Sequence, residues 1–317
     1  MIHPIPPGTR DVLPDEMREL RALSERLRGA FEAAGYAEVW TPALEYEQVL
    51  RAGDERAAGA GYRLFDEHGE VLALRSDMTI PIARVVAGRM GDSEPPLRLC
   101  YFAHAYREAR AAGELREFLQ GGVELVGVPG AEGDAEVVAL ILDALDEAGL
   151  SRHRVGIGDA GLYRSLLASL AVPDELHQPL LERLSRRDLA GLARDVAELG
   201  LPRGDRELLA ALPELRGGAE VLERAGEAVE ELRALHAELE RRGAADRVIY
   251  DLGLVRELGY YTGAVFEVYD PAVGFALGGG GRYDELIGRF GRPLPACGIA
   301  LDVQRVHIAQ AAEEGLG

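Results

Sequence analysis

Leu254-Val-Arg-Glu-Leu-Gly-Tyr-Tyr-Thr-Gly-Ala-Val-Phe-Glu267 is the stretch whose residue types best suit a small ligand. Arg256 supplies a cation, Tyr260 and Tyr261 supply hydroxyls on flat rings, and Gly259 and Gly263 give the backbone latitude on either side. A small, planar, partly anionic molecule fits such a set. Taken alone, the same residues would serve equally as strand tyrosines beside a solvated arginine. Other polar residues tip the balance. The two-residue period of a strand over 116–126 places Phe118, Gln120, Gly122 and Glu124 on one face, an amide and a carboxylate with glycine leaving room above them. Arg107, across the preceding loop, can reach the same place. Asp77 and Thr79 stand at the start of an apolar helix, where either would also serve as a cap.

Composition excludes several chemistries. The 317 residues carry a net charge of −19, and no lysine occurs among them. A phosphate loop ending in Gly-Lys-Ser/Thr is therefore impossible, and the acidic balance disfavours non-specific nucleic-acid binding. Cys100 and Cys297 lie far apart and are expected to be buried thiols, and the seven histidines show no metal-ligand spacing, so neither a metal nor a cofactor is expected. With no membrane-length apolar run and a start lacking the marks of a signal peptide, the expected location is the cytoplasm. Gly156-Ile-Gly-Asp-Ala-Gly161 matches a dinucleotide fingerprint, but it follows a short strand in mid-chain with no strand–helix alternation after it.

Several elements must position these residues. Apolar spacing from Met17 through Phe31 predicts a helix with Asp15 before it and Gly35 after it, then a strand over 37–41 stopped by Pro42. Residues 62–65 and 71–75 read as a hairpin, 97–107 and 116–126 as paired strands, and 134–145 as a helix. From Pro173 to about Arg242 the chain reads as all-helical. Strand character returns at 247–252. The run Phe275-Ala-Leu-Gly-Gly-Gly-Gly-Arg-Tyr-Asp284 reads either as a flexible turn or as a close approach of backbone to ligand, and Pro295 to Arg305 reads as a strand turning into a helix.

In this order the segments resemble the catalytic core of class II aminoacyl-tRNA synthetases, specifically the histidyl-tRNA synthetase family. Gly8-Thr-Arg-Asp-Val-Leu-Pro14 with its helix, strand and Pro42 resembles the dimer-forming first motif. Tyr106-Arg-Glu108 and Arg116-Glu-Phe-Leu-Gln120 resemble the second, and Pro295 to Arg305 resembles the third. Leu254 to Gly263 and Gly280-Gly-Arg-Tyr-Asp284 are similar to two histidine-specific signatures. The resemblance implies an α+β fold, an antiparallel sheet flanked by helices, formed by residues 1–165 and 246–317, with a helical insertion over 166–245. It implies that Asp77, Thr79 and Gln120 hold the ligand's amino group, Arg107 its carboxylate, Glu124 and Tyr261 its imidazole, with Tyr260 in the same wall. Arg256 would meet an adenylate phosphate, and Glu108 and Arg305 belong to the nucleotide side.

Most departures from the pattern fall on that nucleotide side. Asp302 replaces a glycine, Gln304 replaces a glutamate, Glu257 and Gly259 stand where Gly and Asp are usual, and Asp77 is one methylene shorter than the usual Glu. With only twelve residues after Arg305, no anticodon-binding domain is expected to follow the third motif. With these departures the resemblance implies a non-catalytic regulatory paralogue. Its partner would be a short-form ATP phosphoribosyltransferase catalytic subunit, in a hetero-oligomer expected to be a hetero-octamer, with histidine as feedback ligand and a homodimer through the first motif. No phosphoribosyltransferase-type acidic loop is present in the sequence. A truncated histidine-activating synthetase forming histidyl-adenylate is the second reading, and a histidine sensor with another partner is a third.

Overall fold

The computed structural model describes residues 4–55, 61–108, 115–254 and 259–315. The first helix, α1 (Pro14–Ala33), buries Leu20, Leu23, Leu27 and Phe31, one stripe at helical spacing. Asp15 lies inside its first turn rather than before it. Pro14 opens the helix, since its missing N–H is one that no helix satisfies at that position. Gly35, at φ +85°, turns the chain into β1 (Ala37–Glu38). The expected strand over 37–41 is cut short because the Arg75 guanidinium takes the Thr41 and Pro42 carbonyls, at 2.7 and 3.1 Å, and draws the chain out of the sheet.

A small sheet follows, built from β2 (Leu44–Tyr46), β3 (Arg63–Phe65) and β4 (Val71–Leu74) in the order β2-β4-β3, with α2 (Glu47–Gly53) between its first two strands. Next come α3 (Thr79–Gly88), the long antiparallel pair β5 (Leu97–Tyr106) and β6 (Glu117–Val126), α4 (Gly130–Glu147) and β7 (Arg154–Asp159). Helices α5 (Leu162–Ser169), α6 (Asp174–Ser185), α7 (Leu189–Ala197) and α8 (Arg203–Ala211) lead to β8 (Arg216–Gly217), α9 (Glu220–Arg224) and α10 (Glu230–Arg241). The stretch read as all-helical thus also contains a two-residue strand, which pairs with β9 (Val248–Asp251). The chain continues through β10 (Ala264–Tyr269), β11 (Ala276–Arg282), β12 (Ala296–Asp302) and α11 (Val303–Glu314).

The main sheet runs β1-β5-β6-β12-β11-β10-β7-β9-β8 and is antiparallel except at the β1–β5 and β7–β9 pairings, so it is mixed rather than purely antiparallel. Alternation divides its core in two. On one face Cys100, Val123, Leu125, Ile299 and Leu301 pack with the stripes of α1 and α4. On the other, Leu99 and Tyr101 pack with Met78, Ile80, Tyr260, Tyr283 and Leu286. Both cysteines are buried free thiols.

The glycine run is a strand in the middle of this sheet, not a turn. A Cβ at Gly278 or Gly280 would collide with the carbonyl of Ala300 or Gly298 on β12, so only glycine lets the two strands lie this close. The fingerprint-like glycines end on a helix already capped: Asp159 Oδ1 accepts from the backbone N–H groups of Gly161 and Leu162 at 2.7 and 2.9 Å, and β7 runs antiparallel to β10. The donors a dinucleotide phosphate would need are thus engaged.

Candidate functional site

The second face of the sheet carries the site. Gln120, Gly122 and Glu124 alternate along β6, opposite Ala103, Tyr101 and Leu99 on β5 and opposite Asp302, Ala300 and Gly298 on β12. Small residues clear a floor around the acid. A Cβ on Gly298 would fall on the Glu124 carboxylate, one on Gly122 would lie 2.6 Å from the Tyr101 hydroxyl, and one on Gly281 would lie 2.8 Å from the Tyr261 ring.

Glu124, only 1% exposed, collects hydroxyl donors from three parts of the chain. Thr79 Oγ1 donates to it at 2.9 Å, Tyr101 at 3.4 Å, and Tyr283 through a short contact. Burial pushes the Glu124 carboxyl up to about 7, even though Tyr283 and Thr79 pull the other way. A carboxylate has about four acceptor sites, so three hydroxyls leave room for one further N–H donor. Tyr260 is buried at the wall, its ring 4.9 Å from that of Tyr261 and edge-on to Tyr283 at 5.9 Å. Tyr261 is half-buried beside the floor.

Asp77 is the second buried acid of the site. Its carboxyl is raised by burial, against the pull of Arg107, and its Oδ1 accepts from Ile80 N at 3.3 Å. Of the two expected caps of α3 it is therefore Asp77 that faces the helix backbone, while Thr79 turns to Glu124. Arg107 sits at the exposed rim, its Nε donating to Ser76 O at 2.9 Å and its guanidinium 4.9 Å from the Phe118 ring centre. Glu108, next along, is exposed. Buried Gln120 has its Oε1 without a hydrogen-bond partner among the described residues.

Arg305 lies away from these groups, on the first turn of α11. Its Nη1 donates to Ala276 O at 2.9 Å, its Nε pairs with Asp302 at 3.4 Å, and it stacks over Phe275. Asp302 also caps α11, accepting from Arg305 N at 3.1 Å, and Gln304 Oε1 accepts from Leu119 N at 2.8 Å. Arg256 and Glu257 fall outside the described residues. Nearby Gly259 N donates to Asp54 at 3.0 Å. Asp77, Thr79, Gln120, Glu124, Tyr260 and Tyr261 are thus brought to one side of the sheet, with Arg107 at its rim. Tyr101 and Tyr283 had been given no role by the sequence. The signal for Tyr101 was available in the pairing of two ten-residue strands, which sets it opposite Gly122. No group of three His, Cys, Asp or Glu among the described residues is placed to hold a metal ion.

The arrangement sets a buried acceptor acid on a floor cleared by glycines, with an arginine at its rim, on a sheet of class II synthetase type. The histidyl-tRNA synthetase family model matches residues 8–306. The ATP phosphoribosyltransferase regulatory subunit of Symbiobacterium thermophilum is 45% identical, covering 98% of this chain and 82% of that protein. That of Desulforamulus reducens is 40% identical, covering 98% and 79%. A crystal structure from Bacillus halodurans described as an ATP phosphoribosyltransferase regulatory subunit/histidyl-tRNA synthetase superposes with a TM-score of 0.90 at 35% identity, over 98% of this chain and 84% of that one. The chain belongs to the histidyl-tRNA synthetase family, among its ATP phosphoribosyltransferase regulatory subunits.

Proposed function

We propose that this chain is a non-catalytic regulatory subunit that works in the cytoplasm with a short-form ATP phosphoribosyltransferase catalytic subunit and reports histidine to it. The observation that carries this reading is the contrast between Glu124, held by hydroxyls on a glycine-cleared floor, and Arg305, Asp302 and Gln304, which are engaged with one another and with backbone. Over that floor, Glu124 and Tyr261 take the imidazole nitrogens, with Tyr101 and Tyr283 orienting the carboxylate. Asp77, Thr79 and Gln120 take the ammonium group, and Arg107 takes the ligand carboxylate as a charge-assisted pair. All of these lie in residues 1–165 and 246–317, the ligand-binding core, to which 166–245 is an appended, mainly helical unit. Regulation at a distance requires that histidine bind one state of the complex more tightly than another.

Two copies would join through the first motif. Support comes from β1, a two-residue edge of the main sheet, with Trp40 beyond it 89% exposed and Leu13 and Met17 exposed on α1 and its entry. Exposed apolar residues and a short sheet edge are features that a second copy would cover. Such dimers would build the hetero-octamer.

Isolated, the chain should support no histidine-dependent exchange of pyrophosphate into ATP; robust exchange would instead make it a histidine-activating enzyme. Added to a short transferase, it should raise turnover and make that turnover sensitive to histidine, with the sensitivity lost in Tyr261→Ala. A transferase that neither binds the chain nor responds to it ends the regulatory reading.

A further inference from the structure

Asp302 stands on the same face of the sheet as Gln120 and Glu124. It pairs in register with Gln120, four positions along β12 from Gly298, whose missing side chain makes room for Glu124. This puts a third acid at the far end of the floor, only 14% of its side chain exposed. Its surroundings are cationic. The Arg305 guanidinium is in contact at 3.4 Å, and Arg107 lies close enough to lower the Asp302 carboxyl against the effect of burial. Arg10, paired chiefly with Glu16 at 2.6 Å, also feels Asp302, and the N-terminal segment that carries it is tied to the start of β6 by the bond from Arg116 N to Gly8 O.

An arginine at the first turn of a helix favours an anion there. Here one carboxylate stands beside it, fixed to the helix it caps. Gln120 Oε1, buried and unpartnered beside it, adds an acceptor that suits an ammonium group and repels a phosphate oxygen. We infer that Asp302 is an internal counter-anion that reserves Arg305 and so makes this end of the floor reject phosphate-bearing ligands while admitting a zwitterion, whose own ammonium group meets the acids. Asp302 is thereby a specificity-determining residue, and the inference holds whether or not the chain regulates a transferase.

Asp302→Asn is the informative change, because asparagine caps a helix as well as aspartate and removes only the charge. Inorganic pyrophosphate is titrated calorimetrically at low salt into the isolated chain and into the variant. The variant should bind at least about tenfold more tightly, the scale expected for removing a like charge a few ångströms from an anion in a partly buried site. Arg305→Ala in the same background should abolish the gain. Equal pyrophosphate binding by the parent chain and a folded Asp302→Asn overturns the inference, as does a gain that survives Arg305→Ala unchanged. Should Asp302→Asn not fold, Asp302→Ser, which also caps, carries the same comparison.

Discussion

Glu124 and Asp302 lie toward opposite ends of one floor and share a property, since burial raises both carboxyls. They differ in company. Around Glu124 the neighbours are hydroxyls and glycines: groups that orient a carboxylate without neutralising it, and absent side chains that leave space. Around Asp302 and Arg305 the neighbours are an opposite charge and backbone groups, so both side chains are already engaged within the fold. A site kept for a ligand is recognised by what it leaves available, and a site given up by groups that have turned to one another.

The strongest test of that contrast is Glu124→Gln. It should weaken histidine binding by about 1.5–3 kcal/mol, the worth of a bond to a charged group, in calorimetry on the isolated chain. The same change should make the unliganded protein more stable at pH 8. Glu124 holds a proton up to about 7 in the folded chain but only to about 4.3 when unfolded, so between these values the native state binds the extra proton and loses stability as pH rises. The advantage of the variant in denaturant melts should therefore be small near pH 4, grow through that interval and level off above 7. A constant difference at all pH values would mean that Glu124 is not raised. Gly298→Ala comes next: a methyl group driven into Glu124 should cost about 1–3 kcal/mol of stability and disturb ligand binding with it.

Tyr283→Phe removes one donor to Glu124 and should cost about 1 kcal/mol in histidine affinity, with the titration of Glu124 moving further up. Gln304→Ala, at the other end, should lower stability by about 0.5–1 kcal/mol through the lost bond to Leu119 N while leaving histidine affinity unchanged. If Gln304→Ala weakens histidine as much as Tyr283→Phe does, the two ends are not separate.

Periodicity made much of the scaffold legible. The stripe of α1, the β5–β6 pair and the β12–α11 junction all follow from spacing alone, because each is long and one-sided. The glycine run was ambiguous because its reason lies elsewhere: Gly278 and Gly280 are dictated by carbonyls on β12, about twenty residues on. β1 looked longer because Arg75, the residue that ends it, is thirty-odd positions away. Gln120 and Glu124 could be paired by the strand period, whereas the convergence of Thr79, Tyr101 and Tyr283 on Glu124 required the fold. Asp302 was legible as a misplaced charge beside Arg305, and its cap and its pairing explain where that charge is held.

The strand order has a consequence for how the protein is made. β12, the last strand of the chain among the described residues, is inserted between β6 and β11, so Asp302 pairs with Gln120 across some 180 residues of sequence. As the chain emerges from the ribosome, β6 and β11 must wait with open edges until β12 arrives, and sheet edges left waiting are where nascent chains stick to one another. The recess around Glu124 likewise lacks a wall until Tyr283 has been synthesised. A ligand held in that recess, as proposed for histidine, would therefore stabilise the finished subunit without guiding the early stages of its folding.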